Sequence, residues 1–196
     1  TSDAYVARRA WADASLVGCP RHPAGGCGVA RHGTYRRTTP AGMAITRYYC
    51  PTAHETFSLL PDCLASRFPG TLAAMEHVVA VVEGARSVAA AADVLRPDVG
   101  WTSAMRWIHR RLRVVRATLV TVVTLLPALL GVAAQVIAVR TALDTDQALV
   151  RLRTEVDPWL HAVPRPLGFA PPCPARSAGV AACQHDMGAD AARAVG

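Results

Sequence analysis

Cys19, His22, Cys27, Cys50, His54 and Cys63 fall within one stretch of 45 residues, more thiols and imidazoles than a short segment needs for packing. Zinc takes four such ligands in a tetrahedron, usually as two close pairs that a fold brings together. The spacing favours Cys19 with Cys27 and Cys50 with His54. Gly28 follows Cys27 and allows a tight backbone turn, and Cys50 and His54 sit three residues apart at the end of a strand-like run. One structural zinc is therefore expected. Seven residues separate Cys19 from Cys27, so His22 stays open as a substitute for Cys27, and Cys63 as a substitute for His54. Cys173, Cys183 and His185 have no hairpin around them to assemble a second site.

The elements that must position these ligands read as a hairpin. The runs Val29 to Thr38 and Ala44 to Cys50 flank Pro40, Ala41 and Gly42, a turn-forming connection. In the second run Ile45, Arg47 and Tyr49 alternate with Thr46 and Tyr48, as a strand requires. The ligands bracket this hairpin within a module spanning residues 14–69. From Thr71 the period changes. Leu72, Met75, Val79 and Val82 share one helical stripe ending near Gly84, and Ser87 caps a second helix with Val88, Ala91, Ala92 and Leu95 facing inward. Thr102 or Ser103 caps a third, whose buried stripe is Trp101, Met105, Ile108, Leu112 and Val115. Arg106, Arg110 and Arg113 lie on nearly the opposite side of that helix.

Charge points the same way. All 21 basic residues are arginine, and the formal net charge is +7. No acid lies between Ala14 and His54, where Arg21, Arg31, Arg36, Arg37 and Arg47 stand, and none between Trp101 and Arg140. Two basic blocks suit phosphate. Catalytic signatures are missing: there is no glycine-rich phosphate loop, no serine elbow and no close acid pair on a strand pattern that would hold metal for strand cleavage. A non-enzymatic protein is expected. No charged, apolar and cleavage-site pattern opens the sequence, which sets the expectation of a reducing cytoplasm with cysteines as ligands or free thiols.

Residues 117–139 carry no charge over 23 positions, long enough to span a bilayer. Thr118, Thr121, Thr124, Gln135 and the helix-breaking Pro127 argue instead for apolar helices that form a buried hairpin or a dimer interface. A membrane-anchored protein with a metal-binding head is the alternative. A further amphipathic helix is expected from about Thr145 to Val156, closed by Pro158, within a region 117–158. Residues 159–196 read as an irregular Pro-rich tail. The fold expected is thus mainly α, with a small N-terminal β-hairpin ribbon.

The segments CPRHPAGGCG, RHGTYRR, ITRYYC and TFSLLPDCLASRFPGTL resemble the zinc-ribbon start of bacterial insertion-element transposases and of their short stand-alone relatives. The resemblance covers about residues 18 to 116. It implies Cys19, Cys27 and Cys50 as zinc ligands, with His54 standing where a fourth cysteine is common. It also implies a helix-turn-helix over residues 70–116 with Met105 to Arg113 as recognition helix, and duplex DNA as partner for a nucleoid-associated cytoplasmic protein. Arg31, Arg36, Arg37, Arg47, Arg106, Arg110 and Arg113 are the expected nucleic-acid contacts, and residues 117–139 the expected homodimer contact. The acidic-triad catalytic domain of a complete transposase has no counterpart in this sequence, so strand transfer is not expected.

Overall fold

The computed structural model describes residues 1–170; the later part of the Pro-rich tail, with Cys173, Cys183 and His185, lies outside the described residues. Helix α1 (Ser2–Ala7) precedes strands β1 (Ala30–Arg36), β2 (Ala44–Cys50) and β3 (Glu55–Ser58), which form an antiparallel sheet in the order β1-β2-β3. β2 is central and carries most of the sheet's buried side chains, while every residue of β1 is exposed. The register of β1 against β2 shifts between Arg31 and Thr34, where Gly33 takes a positive φ, and this bulge blunts the exposed edge strand. β3 has four residues, too few for alternation to announce a strand in the sequence. Tyr5, Val6, Leu60 and Cys63 pack with Met43, Ile45 and Leu64 on the sheet.

The helices follow the expected stripes. Helix α2 (Leu72–Gly84) is capped by the Thr71 hydroxyl and helix α3 (Val88–Leu95) by that of Ser87, each satisfying one free N–H of the first turn. Helix α4 (Trp101–Leu125) starts earlier than expected, on Gly100 and with no side-chain cap, so Thr102 and Ser103 lie inside its first turn. Ile108, Leu112 and Val115 are buried as expected, but Trp101, at the helix start, is 61% exposed. Helices α5 (Val136–Leu143) and α6 (Ala148–Glu155) complete the bundle, and α2 packs against α3, α4, α5 and α6.

The long apolar helices expected over 117–139 do not form. The first part of that run is the end of α4, Pro127 opens a 3-10 turn (Pro127–Leu129), Gly131 takes a positive φ, and the last residues begin α5. Proline cannot donate the helical hydrogen bond and its ring clashes with the preceding turn, so the run breaks where it stands. Among the described residues no helix is long and apolar enough to cross a membrane. Residues 160–170 are irregular but not loose: Val163 and Leu167 are buried in the helical core, and the Ser66 and Thr118 hydroxyls donate to the carbonyls of Gly168 and Arg165.

Neither α5 nor α6 has a side-chain cap from its own N-terminus; α2 supplies both. Glu76, fully buried, accepts from Ala148 N (2.9 Å), Leu149 N (2.8 Å) and Arg140 Nε (2.7 Å). Seven residues along α2, Glu83 accepts from Ile137 N at 3.0 Å. The first N–H groups of a helix have no internal partner and carry positive partial charge, so a carboxylate there serves both needs. Glu76→Ala strands Arg140 and two buried N–H groups and should lower unfolding free energy by about 3–5 kcal/mol. Replacement of the exposed Glu155 should change it by less than about 0.5 kcal/mol; urea unfolding of the two variants checks both values.

Candidate metal centre and arginine face

The ligand-bearing segment before β1 turns back on itself. His22 N donates to Cys19 O at 3.1 Å and Gly25 N to His22 O at 2.9 Å. Gly25 and Gly26 then take φ of +83° and +79°, the left-handed region that glycine enters without a Cβ clash, and the chain reverses to bring Cys27 beside Cys19. Cys50 reaches them from the end of β2, its Sγ accepting from Ala53 N at 3.4 Å, while the Thr52 hydroxyl donates to Cys27 O at 3.3 Å.

The result is one cluster. The ligand atoms of Cys19, His22, Cys27 and Cys50 all lie within 4.8 Å of one another, the three cysteines buried and His22 half-buried. His22 Nδ1 stands 3.5 Å from the Sγ of both Cys19 and Cys50. Burial pushes the Cys19 thiol up, but hydrogen bonds from His22, the Arg21 backbone and the neighbouring thiols outweigh it and bring it to about 6. Burial raises Cys27, and the adjoining Cys19 and Cys50 raise it further. Thiols crowded this closely cannot all ionise unaided; a cation among them would let them. The cluster can hold one metal ion.

Three of the four expected ligands, Cys19, Cys27 and Cys50, come together; His54 does not. It is exposed at a positive φ, and its Nδ1 meets the Tyr49 hydroxyl at 3.2 Å. The fourth position is taken by His22, the open substitute from the sequence, which joins Cys27 rather than replacing it. Cys63 belongs to the small core under α1, where burial raises its thiol. The spacing of Cys19 and His22, two residues between them, was the usable signal.

The arginines divide by environment. Arg106, Arg110 and Arg113 are exposed on α4, opposite Ile108 and Leu112, and none makes an ion pair among the described residues. Arg36 is exposed on β1 and, with Arg9 and Trp11, lines a cleft of about 450 Å³. Arg47 lies 5.9 Å from the Tyr35 ring. Arg31 is exposed but tethered, its guanidinium donating to the carbonyls of Trp11 (2.9 Å) and Ala12 (2.7 Å). Arg37 donates to Phe68 O at 2.9 Å. Arg21 pairs with Glu55 at 2.7 Å, which raises the guanidinium and lowers the carboxyl.

Compared with protein families, with curated proteins and with solved structures, the chain matches none.

Elemental analysis should find about one metal ion per chain, lost in Cys50→Ser and His22→Ala but kept in His54→Ala and Cys63→Ser; the reverse result for His54 and His22 would refute this ligand set. Because protons compete with metal for thiolate, the bound ion should leave on acidification. A chromophoric chelator follows the release.

Proposed function

We propose that this chain is a zinc-stapled protein that binds duplex DNA and does no chemistry on it. Zinc is favoured by the donor set, three thiolates and an imidazole, and by scale. With Zn–S of about 2.3 Å and Zn–N of about 2.0 Å, neighbouring sulfur and nitrogen ligands of a tetrahedron stand about 3.5 Å apart. His22 keeps that distance from two of its thiols. The ion would act structurally, since four protein ligands leave no open position.

The observation that carries the DNA reading is the outer face of α4. Arg106, Arg110 and Arg113 form a row on a helix that contains no acid, exposed and free of ion pairs among the described residues. Side chains so placed meet phosphates at little desolvation cost, and phosphate contacts dominate affinity for duplex DNA. Met105 to Arg113 is the segment offered to a groove; the connection that leads into it from α3, residues 96–100, is five residues, longer than the roughly three or four of a compact helix-turn-helix, so the reading rests on the arginine row and not on the turn. The resemblance to the transposase N-terminal region supports the same reading. Pairing of two copies through 117–139 belongs to it, with Val120, Leu130 and Ile137 as exposed apolar contacts.

The chain should bind short duplex DNA with an affinity that falls steeply with salt. Alanine at Arg106, Arg110 and Arg113 together should abolish binding at about 0.15 M salt and flatten the log–log salt slope by about three. Fluorescence anisotropy across a salt series measures both. Binding that is unchanged in the triple variant would remove α4 as the contact. No binding by the intact, metal-loaded chain would favour a metal-stapled adaptor for another protein.

A further inference from the structure

Three arginines lie over two aromatic rings where the sheet meets the helices, and a fourth, from a separate segment, reaches the backbone of one of those residues. Phe68, buried just before α2, has its ring covered by Arg110 at 5.0 Å and Arg111 at 5.6 Å. Arg111 also stacks on Trp107 at 3.7 Å, with Arg96 over the same ring at 5.2 Å. From the sheet side, Arg37 just past β1 reaches the Phe68 carbonyl. Only Arg96 has an acidic partner among the described residues, the exposed Asp98 at 3.4 Å. Burial, then repulsion from Arg110 and Arg96, lowers Arg111 to about 10.

Like charges gathered without counter-charge oppose folding, so the arrangement needs both a means of holding and a reason in function. The rings hold it. A guanidinium stacked on an aromatic face uses its π surface and keeps its in-plane N–H groups for hydrogen bonds; Arg111 gives one to Trp107 O at 3.3 Å and Arg37 one to Phe68 O, which fix the direction of the donors that remain. Those donors, fixed in direction before any ligand arrives, match the oxygens of a phosphate.

We propose that Arg37, Arg96, Arg110 and Arg111, ordered by Phe68 and Trp107, form an anchor for a backbone phosphate of the bound nucleic acid. The anchor rests on the DNA-binding reading and extends it: sheet and α4 grip one duplex together. It assigns Arg96, Arg111 and Phe68, which the charge pattern alone does not single out. Free inorganic phosphate shares the chemistry and serves as a probe of the same site.

The test uses the metal-loaded full chain with Arg111→Gln, Arg37→Ala and Phe68→Leu, each checked for a native melting transition. Arg37→Ala, at the sheet edge, keeps the test intact if Arg111→Gln fails to fold. Each arginine variant should lower the salt slope of duplex binding by about one. Phe68→Leu, which keeps every charge, should weaken binding about tenfold with the slope nearly unchanged. Separately, inorganic phosphate in the millimolar range should alter Trp emission of the wild type but not of Trp107→Phe or Arg111→Gln. Duplex binding by the wild type with all three variants unaltered overturns the anchor and leaves the DNA reading standing. A phosphate response without any duplex binding supports the anion site and overturns its assignment to DNA, and neither response overturns the anchor altogether.

Discussion

Closure of the Cys19, His22, Cys27 and Cys50 side chains onto one point is the interaction on which the N-terminal sheet depends. Apolar contact cannot replace it. The cluster at that end buries only the three cysteines, with Val29, Ala53 and Phe57 partly covered around them, and the one beneath α1 buries Met43, Ile45 and Leu64. β1 contributes no buried residue. A segment that removes so little apolar surface from water falls short of the entropy lost on ordering its chain. Four ligands drawn from both ends of the hairpin would supply the missing free energy and set where the sheet's arginines stand.

Helix α2 plays the corresponding part in the helical region, by polar rather than metal bonding. Its apolar stripe meets the core, while Glu76 and Glu83, one heptad apart on the same side, reach the free N-termini of α6 and α5. Arg153 of α6, 2% exposed, donates to Leu64 O at 2.6 Å and so fixes the segment leading from the sheet into α2. Arg37 and Phe68 fasten the other side. The two regions are joined by directional bonds to backbone carbonyls, which fix orientation where a small apolar contact would leave it loose.

Periodicity made much of this legible in the sequence. The hairpin, the stripes of α2 and α3 and the cap Ser87 depend on residues a few positions apart, and local spacing reports them well. The misses have two causes, backbone turns that spacing does not report and partners far along the chain. His54 has a good spacing from Cys50, but its backbone turns it outward, while Gly25 and Gly26 fold His22 in. The break at Pro127 in the uncharged run 117–139 was legible, but the apolar helices expected on either side of it are not long ones: the run is shared between the end of α4, a 3-10 turn and the start of α5. Glu76 and Glu83 read as ordinary helix-surface acids, since nothing near them reveals that two other helices begin against them.

That last point bears on how the protein displays its charge. Glu76 is withdrawn entirely into the core, where Arg140 and two backbone N–H groups surround it. Glu83 turns toward the start of α5. Both acids therefore act on helix ends, and neither offsets the arginines of α4, which stand on a different helix facing away from the core. Among the described residues burial removes one acid, Glu76, and one arginine, Arg153, from the surface, so the positive field above α4 comes from that helix's own sequence, which carries arginines and no acid. A carboxylate taken out of water needs its oxygens hydrogen-bonded; Glu76 has three donors, whereas Glu83 meets one through Oε2 and its buried Oε1 has none. The helix that caps α5 and α6 thus commits its two acids to the internal bonding of the fold, and the arginines of α4 have no acid on their own helix to offset them.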